Sequence, residues 1–69
     1  MAIDRQAAAP LFRQVYVAIS SSIVDGRLRA GARLPASRAL AERLGLSRSV
    51  VVAAYEQLLA EGYVAGRIG

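Results

Sequence analysis

Residues 44 to 47 read Leu-Gly-Leu-Ser and stand between two short amphipathic stretches, and no other feature limits the possible folds as strongly. The stretch before them, Arg38 to Leu44, sets Leu40, Ala41 and Leu44 on one helical face. Gly45 tolerates positive φ, which other residues resist, so a helix that reaches Leu44 stops there. Ser47 carries the hydroxyl with which an N-cap residue accepts a bond from an unpaired N–H of the next turn, so a second helix opens at Arg48. Joined by so short a glycine-bearing turn, the second helix leaves at a steep angle and its first turn projects from the protein. That turn carries Arg48 and Ser49, and the pattern is a helix-turn-helix.

The helix from Arg48 to about Glu61 gathers Val51, Ala54, Tyr55, Leu58 and Leu59 on one side, with Ser49, Val52, Ala53, Glu56 and Ala60 opposite. A face meant only for water would not carry Val52 and Ala53. A further helix is expected ahead of both, with Pro10 at its first position, apolar residues at 11, 15, 19 and 23, and an end near Asp25 before Gly26. Tyr16 fits its apolar stripe and is expected in the core. Residues 1–9 show no period and are expected to form a flexible lead-in, which leaves 10–69 as one domain. Between the first two helices, Pro35 forces Leu34 out of helical geometry; Leu28 and Leu34 should plug the core while Arg27, Arg29 and Arg33 face outward. Ser37 is expected to cap the Arg38–Leu44 helix without an acidic partner three residues on, so its capping box is incomplete.

With 69 residues the chain is one small domain. It has no cysteine and no histidine, which removes disulfides, thiolate metal sites and histidine acid–base chemistry. All nine basic residues are arginine, and their placement matters more than the net +4. Charges cancel from Met1 to Asp25, whereas Gly26 to Ser49 sets six arginines against Glu42 alone. A basic middle between nearly neutral flanks points to a localised anionic partner, nucleic acid before others.

The run from Arg33 to Val64, with Leu-Pro-Ala-Ser-Arg at 34–38 and Leu-Gly-Leu-Ser-Arg at 44–48, resembles the winged helix-turn-helix of GntR-family transcription regulators. Val52-Ala-Ala-Tyr-Glu-Gln-Leu is most similar to the MocR branch of that family, and the likeness extends over roughly Pro10 to Gly69. It implies a mainly α fold of three helices with a short β wing, which is incomplete here because the returning strand is missing after Gly69. The chain is therefore expected to be a fragment of a longer regulator. It also implies a homodimer formed through a region outside this chain, and a second, aminotransferase-like domain that binds pyridoxal phosphate. No cofactor is expected on these 69 residues, which hold no lysine for a Schiff base.

The function implied is sequence-specific binding of double-stranded DNA to regulate transcription. Arg48, Ser49 and Val52 would approach base edges, where Arg48 suits guanine O6 and N7 and the small apolar groups suit thymine methyls. Ser47 and Arg38 would position the phosphate backbone, with Arg38 beside the free N–H groups of a helix start. Arg67 and Gly69 match the wing, which enters the minor groove in the family. Many GntR relatives carry a second arginine where Val52 stands, so base preference does not transfer from the wider family. The alternative is a winged-helix protein–protein interaction module that meets an acidic partner through the same exposed face. An enzyme is not expected. No apolar run approaches the roughly 20 residues of a membrane span, and a cytoplasmic location is expected.

Overall fold

The computed structural model describes residues 3–29 and 33–64. Three helices follow in order: α1 (Leu11–Val24), α2 (Ser37–Leu44) and α3 (Arg48–Ala60). Helix packing runs through α3, which lies against both α1 and α2. The core takes Val15 and Ile19 from α1, Leu40 and Ala41 from α2, and Val51, Ala54, Tyr55 and Leu58 from α3. This is the face expected of α3, with Leu59 only half-buried at its edge. Leu28 and Leu34 pack against the same core from the connector, as their place in the sequence implies.

All three helices close in the same way. The N–H of the glycine that follows each helix end bonds the carbonyl three residues back, and the next N–H bonds the carbonyl five back: Gly26 with Arg27, Gly45 with Leu46, and Gly62 with Tyr63. Gly45 sits at φ 67°, ψ 33°, the left-handed geometry its sequence position demanded. Serine inside α1 is tolerated because Ser20 and Ser22 turn their hydroxyls onto the carbonyls of Val17 and Ala18, at 3.2 and 2.9 Å.

Two helix starts differ from expectation. Pro10 is the N-cap of α1 rather than its first residue; at ψ 150° it is extended, and its carbonyl accepts from Gln14 N. Ser37 does not cap α2. Ala36 holds the N-cap position and gives no side-chain cap bond, while Ser37 is the first helical residue and is fully buried. The sequence pattern names a hydroxyl near a helix start, but α2 begins one residue earlier than that pattern implies, which moves Ser37 from the capping position into the first turn.

Residues 3–9, read as a loose lead-in, make a defined set of contacts. Ile3 packs on the core, and Gln14 pairs with the backbone of Asp4 in both directions at 2.8 Å. The Gln14 amide also donates to Ala9 O at 3.0 Å, and Arg5 donates to Gly45 O. No strand occurs among the described residues: Tyr63 and Val64, where the strand of the wing is expected to begin and run to Ala65, form a bend after Gly62, and the rest of the wing, 65–69, lies outside the described residues.

Candidate nucleic-acid interface

The exposed end of the domain is built from the turn between α2 and α3 and from the first turns of those helices. Ser47 caps α3 as its position predicted: its Oγ accepts from Val50 N at 3.4 Å, and it shares a bond with Ser49 Oγ at 3.2 Å. One serine thus satisfies a helix-start N–H and orders the hydroxyl of its neighbour. Both are exposed, as is Arg48 between them.

Arg48 does not extend freely into solvent. Its Nε donates to Ser37 Oγ at 3.1 Å, which brings the first residue of α3 onto the first residue of α2. Arg38, the next residue of α2, is exposed at the same end. Helix N-termini carry the positive end of the backbone dipole and unpaired N–H groups. Two such ends meeting beside two arginines form a surface suited to phosphate. No acidic residue occupies the first turn of either helix to neutralise it.

Val52 lies one turn further along α3, half-buried, with Ala53 exposed beside it, so a small apolar step adjoins the arginine. Glu56 is exposed one turn beyond. Arg67 and Gly69, assigned to the wing, lie outside the described residues. Two residues went unrecognised in the sequence. Ser37, expected as a cap, bonds Arg48, and the Arg5 guanidinium donates to the Gly45 carbonyl within the turn. Neither is signalled by periodicity, since each partnership spans residues distant in the chain.

A family model for bacterial regulatory proteins of the gntR family matches residues 11–69. The chain belongs to the GntR family. It is 45% identical over 69 residues to the probable rhizopine catabolism regulatory protein MocR of Rhizobium meliloti, covering 100% of this chain and 14% of that protein. The pyridoxine biosynthesis regulator PdxR of Corynebacterium glutamicum is 45% identical over 51 residues, 74% of this chain and 11% of its own length. Among solved structures, YtrA of Sulfolobus acidocaldarius, a GntR-family transcription factor, superposes with a TM-score of 0.85 at 35% identity, covering 90% of this chain and 53% of that one. The MocR-like character of the α3 sequence is thus matched by a MocR relative, and the fold is that of GntR winged-helix proteins. The chain is a helix-turn-helix domain of a transcription-regulator family, and it spans 14% and 11% of these two curated relatives.

The chain contains no lysine to form a Schiff base with pyridoxal phosphate. No helix among the described residues is long and apolar enough to cross a membrane.

Proposed function

We propose that this GntR domain binds double-stranded DNA in a sequence-selective way, with the first turn of α3 in the major groove. One observation carries the reading: Arg48 is exposed at the start of α3 and held against the start of α2, at the end where Arg38 also lies. Arg48, Ser49 and Val52 approach base edges; Arg38 and Ser47 meet phosphates and fix the register. The family resemblance extends the interface to Arg67 and Gly69 in the minor groove. The domain acts in the cytoplasm as the DNA-reading part of a transcription regulator, and it pairs with a second copy through a region outside this chain so that two half-sites are read together. A pyridoxal-phosphate domain belongs to that outside region.

Selection from random duplex, followed by fluorescence anisotropy on the enriched site, tests this. Binding is expected to weaken steeply between about 50 and 200 mM salt, by orders of magnitude if several phosphates are engaged. Arg48→Ala is expected to cost about 1–3 kcal/mol and to relax preference at one base pair. Failure to bind any duplex at low salt, with binding to an acidic protein instead, overturns the reading in favour of a protein-interaction module.

A further inference from the structure

We infer that Ser37 is a positioning residue for DNA reading: its buried hydroxyl holds the Arg48 side chain in one orientation, so that base discrimination by Arg48 depends on a residue that never touches DNA. The inference rests on the proposed DNA-binding function and adds to it a determinant of specificity.

Ser37 is fully buried, an unfavourable place for a hydroxyl unless it is hydrogen-bonded. It is not spent on capping α2, whose N-cap is Ala36. Its Oγ accepts from Arg48 Nε at 3.1 Å instead, across the angle between the two helices. Ser37 is anchored in the core, whereas Arg48 is exposed, so the core-facing residue sets the direction of the surface one.

The consequence follows from the shape of a guanidinium, a planar group whose N–H donors form a rigid fork. A bond at Nε fixes both the plane and the edge that remains available. That edge is the pair of terminal nitrogens, which suits the two acceptors that guanine presents in the major groove. A long side chain without such a brace would have to be immobilised on binding, with loss of rotamer freedom. It could also turn its side edge to a phosphate, where it would contribute to affinity and not to selection. Ser37 thereby favours the base-reading mode over the phosphate mode.

The test measures affinity for the selected duplex and for duplexes altered one base pair at a time, using this chain with Ser37→Ala, Ser37→Thr, Arg48→Ala and the double change. Thermal melts of each variant run alongside. Ser37→Ala is expected to lose roughly five- to tenfold in affinity for the selected site, within the net range of a typical hydrogen bond. It should flatten discrimination at the same base pair as Arg48→Ala, while Ser37→Thr, which keeps the hydroxyl, retains it. Once Arg48 is alanine, removing the hydroxyl should change binding little further, because the two residues act as one unit. The inference is overturned if Ser37→Ala weakens every duplex equally, if its effect adds in full to that of Arg48→Ala, or if discrimination survives. A chain that binds no duplex at all overturns the DNA-binding function together with it, whereas one that discriminates normally without the Ser37 hydroxyl overturns the inference alone.

Discussion

The hydroxyl of Tyr55 donates to the carbonyl of Pro35 at 2.9 Å and so ties the middle of α3 to the residue two places ahead of α2. The ring is buried in the core, and burial pushes the hydroxyl above its ordinary value, with Arg43 pulling weakly the other way. The bond fixes where the chain enters α2 relative to α3, the relation on which the Ser37–Arg48 contact depends. Tyr55→Phe keeps the packing and removes the bond. It is expected to cost about 1 kcal/mol and to lower the melting temperature by about 4–8 °C. A melt indistinguishable from that of the parent chain would show that the carbonyl is equally well served by water.

The far end of α3 is held to α1 by a second tyrosine. Tyr16 donates to the Glu61 carboxylate, Gln57 donates to its other oxygen at 2.6 Å, and the Tyr16 and Tyr63 rings meet edge to face at 6.2 Å. The hydrogen bond to Glu61, with some desolvation, pushes Tyr16 up from 10.0 to about 12. The same bond, aided by Gln57, holds Glu61 below its ordinary 4.5. The folded state favours protonated Tyr16, so that contribution is complete below pH 10.0 and lost as pH rises through about 12. It favours ionised Glu61, whose contribution is complete above pH 4.5 and lost as pH falls through the lowered value. Urea midpoints measured across pH should form a plateau between these limits, and Tyr16→Phe should reduce both falls, with buried Tyr55 still contributing on the alkaline side.

Gly45 is expected to resist substitution for reasons of backbone alone. A methyl group there would meet only Arg5 Nη2, at an ordinary 3.7 Å, so no clash arises. The cost is that of holding an L-residue at φ 67°, about 1–2 kcal/mol. Gly45→Ala should therefore lower stability by that amount in urea titration, and Gly45→Asn by less, since asparagine tolerates this region better.

Leu58 is fully buried on the helix that both others pack against. Leu58→Ala should cost about 2–5 kcal/mol. A domain of this size has little stability to spare, and circular dichroism at 37 °C is expected to show substantial loss of helix. Retention of the parent melting curve would mean that the core closes over the vacated space.

Arg38 is exposed on the first turn of α2 and is expected to serve phosphate rather than base. Arg38→Ala should weaken binding by a similar factor on all duplexes and reduce the slope of log affinity against log salt by about 1. A loss confined to one base pair would place Arg38 among the base-reading residues.

The first helix was legible from the apolar spacing after Pro10, and the break at Gly45, the Ser47 cap and the buried stripe of α3 from residues 37–60, because each depends on neighbours within one or two helical turns. The exposure of Arg38, Arg48 and Ser49 was legible for the same reason: a helix with one apolar face must turn the other outward. What waited on tertiary structure was the choice of partner. Ser37 meets Arg48 eleven positions away, Arg5 meets Gly45 forty away, and Tyr16 meets Glu61 forty-five away. A serine at a helix start has two uses for its hydroxyl, capping its own backbone or bonding a neighbour, and local propensity favours the first. Packing α3 against α2 put the Arg48 guanidinium within reach of the buried Ser37 hydroxyl, a contact that only the tertiary structure could supply.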